Sequence, residues 1–386
     1  MPRTPRSEQF TPDEVCIVHT VQRCVRRAYL AGKDLVSGKN YESRREWIRR
    51  RLEILASVFG IDILTYAIMS NHLHLVLRSR PDVVQTWSDQ EVALRWLKLY
   101  PGRRLDEFLG EPSESDVQRL VGDPERLATI RSRLSDISWF MRSASEPIAR
   151  MANKQDECTG HFWEGRFKAQ RITDEASLLA CAMYVDLNPI RAAMADSIQK
   201  SKHTSAYDRY RAMQGETVPS LAAELKSLPQ DQASEQIKGR QSNGAKSRKP
   251  KKKPTSERRI LRDGWLAPVQ LIERGRPSPK PNREGVRASD KGFLPIDDKA
   301  YMKLLEWTGR QGRKDKPGKI PRHVAPILDQ LGIEGSMWCD LVWNFRRYFG
   351  SAAGRPESLK ADAERRGRHW TVGQRSAAAC FVQSEG

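Results

Sequence analysis

Two histidines stand two residues apart in the segment 69–78, Met-Ser-Asn-His-Leu-His-Leu-Val-Leu-Arg. Leucines alternate with them, and successive side chains on a β-strand point to opposite faces. The three leucines therefore define a buried face. His72 and His74 project together from the other face, close enough to share one metal ion. The same spacing also fits two half-exposed polar positions on an ordinary strand, so both interpretations remain open.

A tyrosine and an asparagine four residues apart form the second candidate, in the segment 174–191. Small and apolar residues recur here at helical spacing and predict a buried helix face, with Tyr184 and Asn188 stacked beside it. Pro189 disfavours helical geometry at the preceding residue, which places Asn188 at the helix end. The alternatives are a boundary tyrosine whose hydroxyl meets water and a plain helix stop.

The third candidate is the segment 160–168, Gly-His-Phe-Trp-Glu-Gly-Arg-Phe-Lys, in which aromatic and basic residues are interleaved. This pattern is typical of surfaces that stack on unpaired bases and hold their phosphates. It fits equally well a hairpin that packs Phe162 and Trp163 into the core. Cys158 and His161 do not indicate a zinc site, because no second ligand pair follows at a usable spacing.

The hydrophobic periodicity of residues 1–220 predicts the elements that must hold these side chains. We predict strands at 15–21, 61–69, 72–78 and 167–172, and helices at 43–59, 135–153 and 174–187. The order β-α-β-β-α-β followed by a helix predicts an α+β fold, a ferredoxin-like antiparallel sheet with helices packed on one face.

The composition changes sharply near residue 220 and predicts three segments. We expect a catalytic domain at 1–220, a basic flexible linker at 221–292 and a small, mostly helical domain at 293–386. The stretch 238–259 holds ten lysines and arginines and one acid, Glu257. It fits a solvated linker and also a basic arm that lies on phosphates.

The charge balance and the cysteines limit the class of protein. The 67 lysines and arginines exceed the 48 aspartates and glutamates by 19, which points to a polyanionic partner such as nucleic acid. No apolar run approaches the roughly 18 residues of a membrane span, and the first residues do not resemble a secretory signal. The six cysteines form no CxxC pair, which favours reduced thiols in a cytosol.

The segments 70–77, 160–168 and 184–192 occur in this order and together resemble the single-tyrosine HUH transposases, most closely the REP-associated tyrosine transposase branch. The resemblance covers about residues 10–215, with a longer segment at 88–130 than in compact members. It implies that Tyr184 attacks DNA. It implies that His72, His74 and Asn188 bind a divalent ion, Mg²⁺ (or Mn²⁺).

The expected function is therefore metal-dependent cleavage and rejoining of single-stranded DNA at hairpins of repetitive palindromic elements, through a 5′-phosphotyrosine intermediate. We expect DNA contacts from the following residues: His161, Trp163, Arg166, Lys168, Arg171 and Arg191. The partner would be single-stranded or hairpin DNA, and the protein a monomer or homodimer without membrane contact. We expect it in the bacterial cytoplasm, associated with the nucleoid.

Two rival functions remain at this point. One is a non-catalytic regulator that binds structured nucleic acid on the same sheet. The other is a zinc-dependent hydrolase built on His72 and His74, although no glutamate lies at helical spacing from the pair.

Overall fold

The predicted β-α-β-β-α-β order around the two histidines is present in the structure. The computed structural model describes residues 6, 9–25, 30–34, 38–101, 103–104, 107–108, 112–222, 258–272, 278–311, 325–333, 335–369 and 371–381. Residues 223–257, which include nearly all of the basic stretch 238–259, lie outside the described residues. In the ranges that are described, we find no helix with the length and apolar character needed to cross a membrane.

The strands and helices have the following bounds. The strands are β1 (Ile17–Arg23), β2 (Ile61–Ile68), β3 (His72–Ser79), β4 (Arg103–Arg104), β5 (Glu107–Phe108), β6 (Lys168–Ile172), β7 (Thr217–Pro219), β8 (Arg259–Leu261) and β9 (Ala352–Ala353). The first helices are α1 (Ser43–Val58), α2 (Pro81–Val84), α3 (Asp89–Leu99), α4 (Glu114–Val121), α5 (Pro124–Ser135), α6 (Ile137–Gln155) and α7 (Glu175–Asp186). The later helices are α8 (Asn188–Arg191), α9 (Ser205–Met213), α10 (Asp298–Gln311), α11 (Ala325–Gln330), α12 (Trp338–Tyr348), α13 (Pro356–Arg365) and α14 (Gln374–Cys380).

The central sheet has five strands in the order β2-β3-β1-β6-β9. Its first four strands pair antiparallel in the order of a ferredoxin-like fold, and β9 adds a parallel edge strand beside β6. In the register of β1 with β3, Val21 lies opposite His74 and Arg23 lies opposite His72. The structure therefore confirms the predicted α+β fold with its antiparallel core.

Both faces of this sheet are buried. The three leucines of β3 pack in one hydrophobic cluster with α1 and α6, where the rings of Phe59 and Phe140 lie 5.4 Å apart. Val76, which shares a face with the two histidines, belongs to a second cluster with α7, α10 and α12. The predicted alternation along β3 is thus present. The prediction placed helices on one face, and the structure adds α7 and the later helices on the other, because Leu64, Ala67 and Val76 make that face apolar as well.

The described residues after 258 pack on the first 220 residues. Trp265, which the sequence analysis placed in the linker, is fully buried, and its ring lies 5.2 Å from that of Tyr66 on β2. On the other face of the sheet, the hydroxyl of Tyr301 donates a hydrogen bond to the buried carboxylate of Asp186 at 2.7 Å. The described part of the predicted linker is thus packed, because several of its large apolar residues, among them Trp265, Leu266 and Val269, are buried. The division into three segments stays a prediction.

A buried group of charges fixes this packing. Asp62 on β2 lies opposite Arg78 on β3 and accepts hydrogen bonds from Arg78 Nη2 at 2.7 Å and from Arg80 Nη1 at 3.2 Å. Its carboxylate also accepts from the backbone nitrogen of Ser289 at 3.0 Å, and Arg78 donates to the carbonyl oxygen of Gly292 at 2.8 Å. The carboxylate of Asp62 is completely buried and pairs with both guanidinium groups, so it compensates the buried charge of Arg78 and part of that of Arg80.

Replacing this carboxylate should therefore be costly. We expect Asp62→Ala to lower the free energy of unfolding by about 3–5 kcal/mol, because it leaves the buried Arg78 without a counter-charge and removes one of the two carboxylates that pair with Arg80. Asp82 is the matched control: it also pairs with Arg80, at 2.8 Å, but its side chain is 36% exposed. Asp82→Ala should cost about 1 kcal/mol or less. Denaturant titration measures both values, and equal losses would contradict the role given to Asp62.

Candidate active site

The structure brings together three of the predicted site residues from β3 and α7. The rings of His72 and His74 lie 4.7 Å apart between centroids, and the ring of Tyr184 lies 5.7 Å from that of His74. These contacts join residues separated by more than one hundred positions in the chain, since α7 packs across β2 and β3. The histidine pair and the tyrosine thus lie next to each other, and their role in one site stays a prediction.

Local sequence explains how α7 presents its tyrosine. Asp174 caps the helix, since its carboxylate accepts a hydrogen bond from the backbone nitrogen of Ser177 at 2.8 Å. The helix ends at Asp186, and Asn188 begins the short helix α8, whose second residue is Pro189. Asn188 is 7% exposed, and its side-chain nitrogen has no hydrogen-bond partner in the described part of the chain. Asn188 lies about one turn beyond Tyr184, just after the end of α7. The presence of Pro189 in the sequence predicted a helix end at this position.

Both candidate metal-binding histidines are held in their neutral form. Burial, followed by the nearby charges of Arg23 and Arg346, lowers the pKa of His72 to about 4. Burial also lowers the pKa of His74 far below its usual range, and the neighbouring imidazoles lower it further. Neutral imidazoles keep one nitrogen lone pair, which a metal ion requires.

The hydrogen bonds indicate which lone pairs are available. His72 Nδ1 lies 2.6 Å from the side-chain oxygen of Asn71, which can only accept, so the proton sits on Nδ1 and Nε2 stays open. His74 Nε2 is buried and has no hydrogen-bond partner among the described residues. In those same ranges, no three His, Cys, Asp or Glu side chains form a group that could hold a metal ion. The donors that could hold a divalent ion here are therefore the Nε2 atoms of His72 and His74.

The candidate nucleophile is enclosed by aromatic and basic groups. Tyr184 is 6% exposed. The ring of Phe345 on α12 lies 5.9 Å from its ring, that of His19 lies 5.8 Å away, and the guanidinium carbon of Arg191 stands 4.7 Å above it. A helix from the last part of the chain thus covers the tyrosine.

A basic surface lies beside the histidines. One cavity of about 210 Å³ is lined by His72 together with Arg23, Arg166, Lys168 and Arg346. We call the surface of these four basic residues the basic cleft; Glu164 also lines this cavity. A neighbouring cavity of about 430 Å³ shares three of the four and reaches His19. Clustered positive charge next to open imidazole nitrogens suits a phosphate group.

The predicted DNA-contacting residues lie in different environments. Arg166 and Lys168 are exposed and line the basic cleft, and His161 is exposed nearby in sequence. Trp163 is half-buried, and its indole nitrogen donates to the carbonyl oxygen of Ser145 at 2.8 Å. Phe162 is buried beside it, which agrees with the packing of these two aromatic residues, and the role of the segment in DNA binding stays a prediction.

Arg171 and Arg191 already have partners inside the protein. The guanidinium of Arg171 donates to the carboxylate of Glu14 at 3.0 Å and pairs with Asp362 at 3.3 Å. Because two carboxylates offset its charge, we leave Arg171 out of the proposed DNA surface. Arg191 stacks on Tyr184 and is exposed, so it remains available at the rim of the site.

Three residues of the site were missed by the sequence analysis: His19, Arg23 and Arg346. His19 on β1 lies against His74, with ring centroids 5.2 Å apart. It could have been found only from the register of β1 with β3. Arg346 comes from α12, far along the chain, where no local pattern connects it with the histidines.

Comparisons with known proteins give little further information. No family model matches the chain, and no curated protein matches it in sequence. One solved structure, described as a REP-associated tyrosine transposase bound to a REP hairpin, is similar with a TM-score of 0.33 and 10% sequence identity, over 56% of this chain and 87% of that chain. A similarity this weak does not support the transfer of an activity from that protein to this one. The function must therefore be argued from the residues of this chain.

The buried histidines predict a loss of stability in acid. Burial lowers the pKa of His19 to about 3, whereas an unfolded histidine titrates near about 6.5. The unfolded chain therefore binds more protons below about pH 6.5, and stability falls as the pH drops through this window, by ~1.4 kcal/mol per pH unit for this histidine. In EDTA, His19→Gln should show a shallower fall than wild type in unfolding titrations between pH 6 and 4.5. Identical slopes would contradict the buried, neutral state of His19.

Proposed function

We propose that this protein cleaves and rejoins single-stranded DNA at hairpins of repetitive palindromic elements, with Tyr184 as nucleophile. The observation that carries the proposal is the convergence of Tyr184 with His72 and His74 next to the basic cleft. A phenol, two neutral imidazoles and clustered arginine and lysine together form a set suited to a phosphodiester.

In this proposal, the phenolic oxygen of Tyr184 attacks the phosphorus of a DNA phosphodiester in line with the 3′-oxygen. The new O–P bond gives a 5′-phosphotyrosine, the P–O3′ bond breaks, and the leaving oxygen takes up a proton to become a 3′-hydroxyl. The tyrosine proton passes to solvent. Because one phosphoester replaces another, a 3′-hydroxyl of the same or another strand can reverse the step without an energy source.

A phenol has a pKa near about 10 and needs help at neutral pH. We propose that His72, His74 and the amide oxygen of Asn188 hold Mg²⁺ or Mn²⁺. Such an ion, when bound, would polarise a phosphate oxygen and offset developing charge. The support is the buried His74 Nε2, which has no hydrogen-bond partner among the described residues, together with the lone pair left on His72.

The basic cleft would hold the DNA strand in this proposal. Arg166, Lys168 and Arg346 are exposed along it, and Arg191 is exposed and stacks on Tyr184. His161 and Trp163 would lie further along the strand. We propose single-stranded or hairpin DNA as the partner, bound by a monomer or a homodimer.

One observation favours a second function. Tyr184 is 6% exposed and packs under Phe345, which suits a structural tyrosine as well as a shielded nucleophile. A non-catalytic regulator that binds structured nucleic acid on the basic cleft would have the same surface. The two functions differ in whether a covalent link to DNA forms.

The decisive variant is Tyr184→Phe. We expect wild-type protein with Mn²⁺ and a pool of hairpin oligonucleotides carrying randomised single-stranded flanks to form a covalent adduct that survives SDS. Tyr184→Phe should form none while hairpin affinity changes less than about threefold, because only the nucleophilic oxygen is lost. Gel shift after denaturation and mass spectrometry of the linked peptide measure the outcome.

Tyr207→Phe is the matched control, since Tyr207 is also buried, on the neighbouring helix α9. It should form adduct at the wild-type rate. An adduct that persists in Tyr184→Phe would overturn the nucleophile, and hairpin binding without adduct in wild type would favour the regulator.

Arg346 offers a test of the cleft. On single-stranded DNA, log K falls with log salt, and each phosphate contact adds ~0.7 to the steepness of this fall. Loss of one contact therefore makes the slope shallower by that amount. We expect Arg346→Gln to show this reduction. Arg347→Gln should not, because Arg347 is also exposed on α12 but does not line the cleft. Fluorescence anisotropy at several salt concentrations gives both slopes, and a reversed pattern would place the strand elsewhere.

A further inference from the structure

A third histidine lies directly behind the candidate metal site. His19 on β1 is 1% exposed, and its ring lies edge to edge with that of His74, with an angle of 13° between the two ring planes. Its Nε2 lies 2.9 Å from His74 Nδ1, which is a hydrogen-bond distance. His19 therefore contacts the nitrogen of His74 that does not face the site.

The hydrogen bond continues beyond His19 to the end of α12. Gln170 lies opposite His19 in the register of β1 with β6, and its side-chain oxygen is 3.5 Å from His19 Nδ1. The side-chain nitrogen of Gln170 donates to the carbonyl oxygens of Phe349 and Gly350, at 3.2 Å and 3.0 Å. Carbonyl oxygens only accept, so the amide nitrogen of Gln170 must face them and its oxygen must face His19.

The proton positions follow along this chain of contacts. The amide oxygen of Gln170 accepts, so His19 Nδ1 carries the proton. A neutral imidazole has one N–H, which leaves His19 Nε2 as an acceptor. His74 Nδ1 must then donate to it, and the remaining lone pair of His74 is on Nε2. That atom is the buried nitrogen without a partner in the described part of the chain.

We propose that His19, supported by Gln170, is a positioning residue that holds His74 in the tautomer with its proton on Nδ1 and its Nε2 lone pair directed to the divalent ion. This inference rests on the proposed function for the identity of the ion. Partners of this kind orient metal-binding histidines in other proteins, and their loss typically weakens metal affinity by about 10–100-fold. In this protein, the series of contacts from His74 through His19 and Gln170 ends at the backbone carbonyl groups of residues 349 and 350.

The first test needs neither metal nor DNA. Nitrogen-15 NMR of the imidazoles in the metal-free protein distinguishes the two tautomers of a neutral histidine. We expect His19 and His74 both to be protonated on Nδ1. A proton on Nε2 of His74 would overturn the proposal, whatever the protein does to DNA.

The second test is Mn²⁺ affinity, measured by electron paramagnetic resonance on the full-length protein. His19→Leu removes the acceptor and should weaken Mn²⁺ binding about 10–100-fold. Gln170→Leu should shift the imidazole tautomers in the same NMR measurement and weaken binding as well. His19→Gln should restore most of the affinity, because its amide oxygen can accept near the position of Nε2.

Thr20→Val is the matched control for loss of a buried polar group on β1. Thr20 is fully buried next to His19, but its hydroxyl faces Leu75 and Met141 on the other side of the sheet. It should leave Mn²⁺ affinity unchanged. Wild-type affinity in both His19→Leu and Gln170→Leu would overturn the positioning role. Absence of Mn²⁺ binding in wild type would instead overturn the metal site of the proposed function, while the NMR result still tests His19.

Discussion

Burial of both faces of the central sheet is the constraint on which the rest of the structure depends. All eight residues of β2 are buried, so neither face of this strand can meet water. The first face is closed by α1 and α6, which come from the same 220 residues. The second face needs α7 and helices from after residue 298. His72 and His74 project from that second face. The packing that completes the core therefore also excludes water from the site and keeps the imidazoles neutral.

The end of the chain is consequently part of the site. The helix α12 supplies Phe345 against Tyr184 and Arg346 to the basic cleft, and the carbonyl groups that follow it hold Gln170. The short strand β9 then joins the sheet beside β6. These contacts are spaced along one segment, so a shift of α12 would change the cover of the tyrosine, the cleft and the support of His74 together.

Local periodicity was sufficient to predict the framework and part of the site. The alternation in 72–77 placed the histidines on one face, and the apolar stripe with Pro189 placed Tyr184 and Asn188 near a helix end. The residues that cover this face could not be predicted, because contacts between α7 and α12 depend on pairing across more than 150 positions and leave no periodic signal. Buried arginines were missed for another reason. Arginine is normally exposed, so sequence patterns gave no sign that Arg78 is buried, or that Arg171, expected on DNA, lies between carboxylates.

The cover over Tyr184 has a consequence for the lifetime of the proposed protein–DNA link. A phosphotyrosine ester can be opened by a 3′-hydroxyl, which conserves the strand, or by water, which leaves a permanent nick. Phe345 and Arg191 pack against the ring of Tyr184, and only 6% of the residue is exposed to solvent. An enzyme that must return every broken strand would benefit from such a shield, because competition between a tethered hydroxyl and excluded water favours religation.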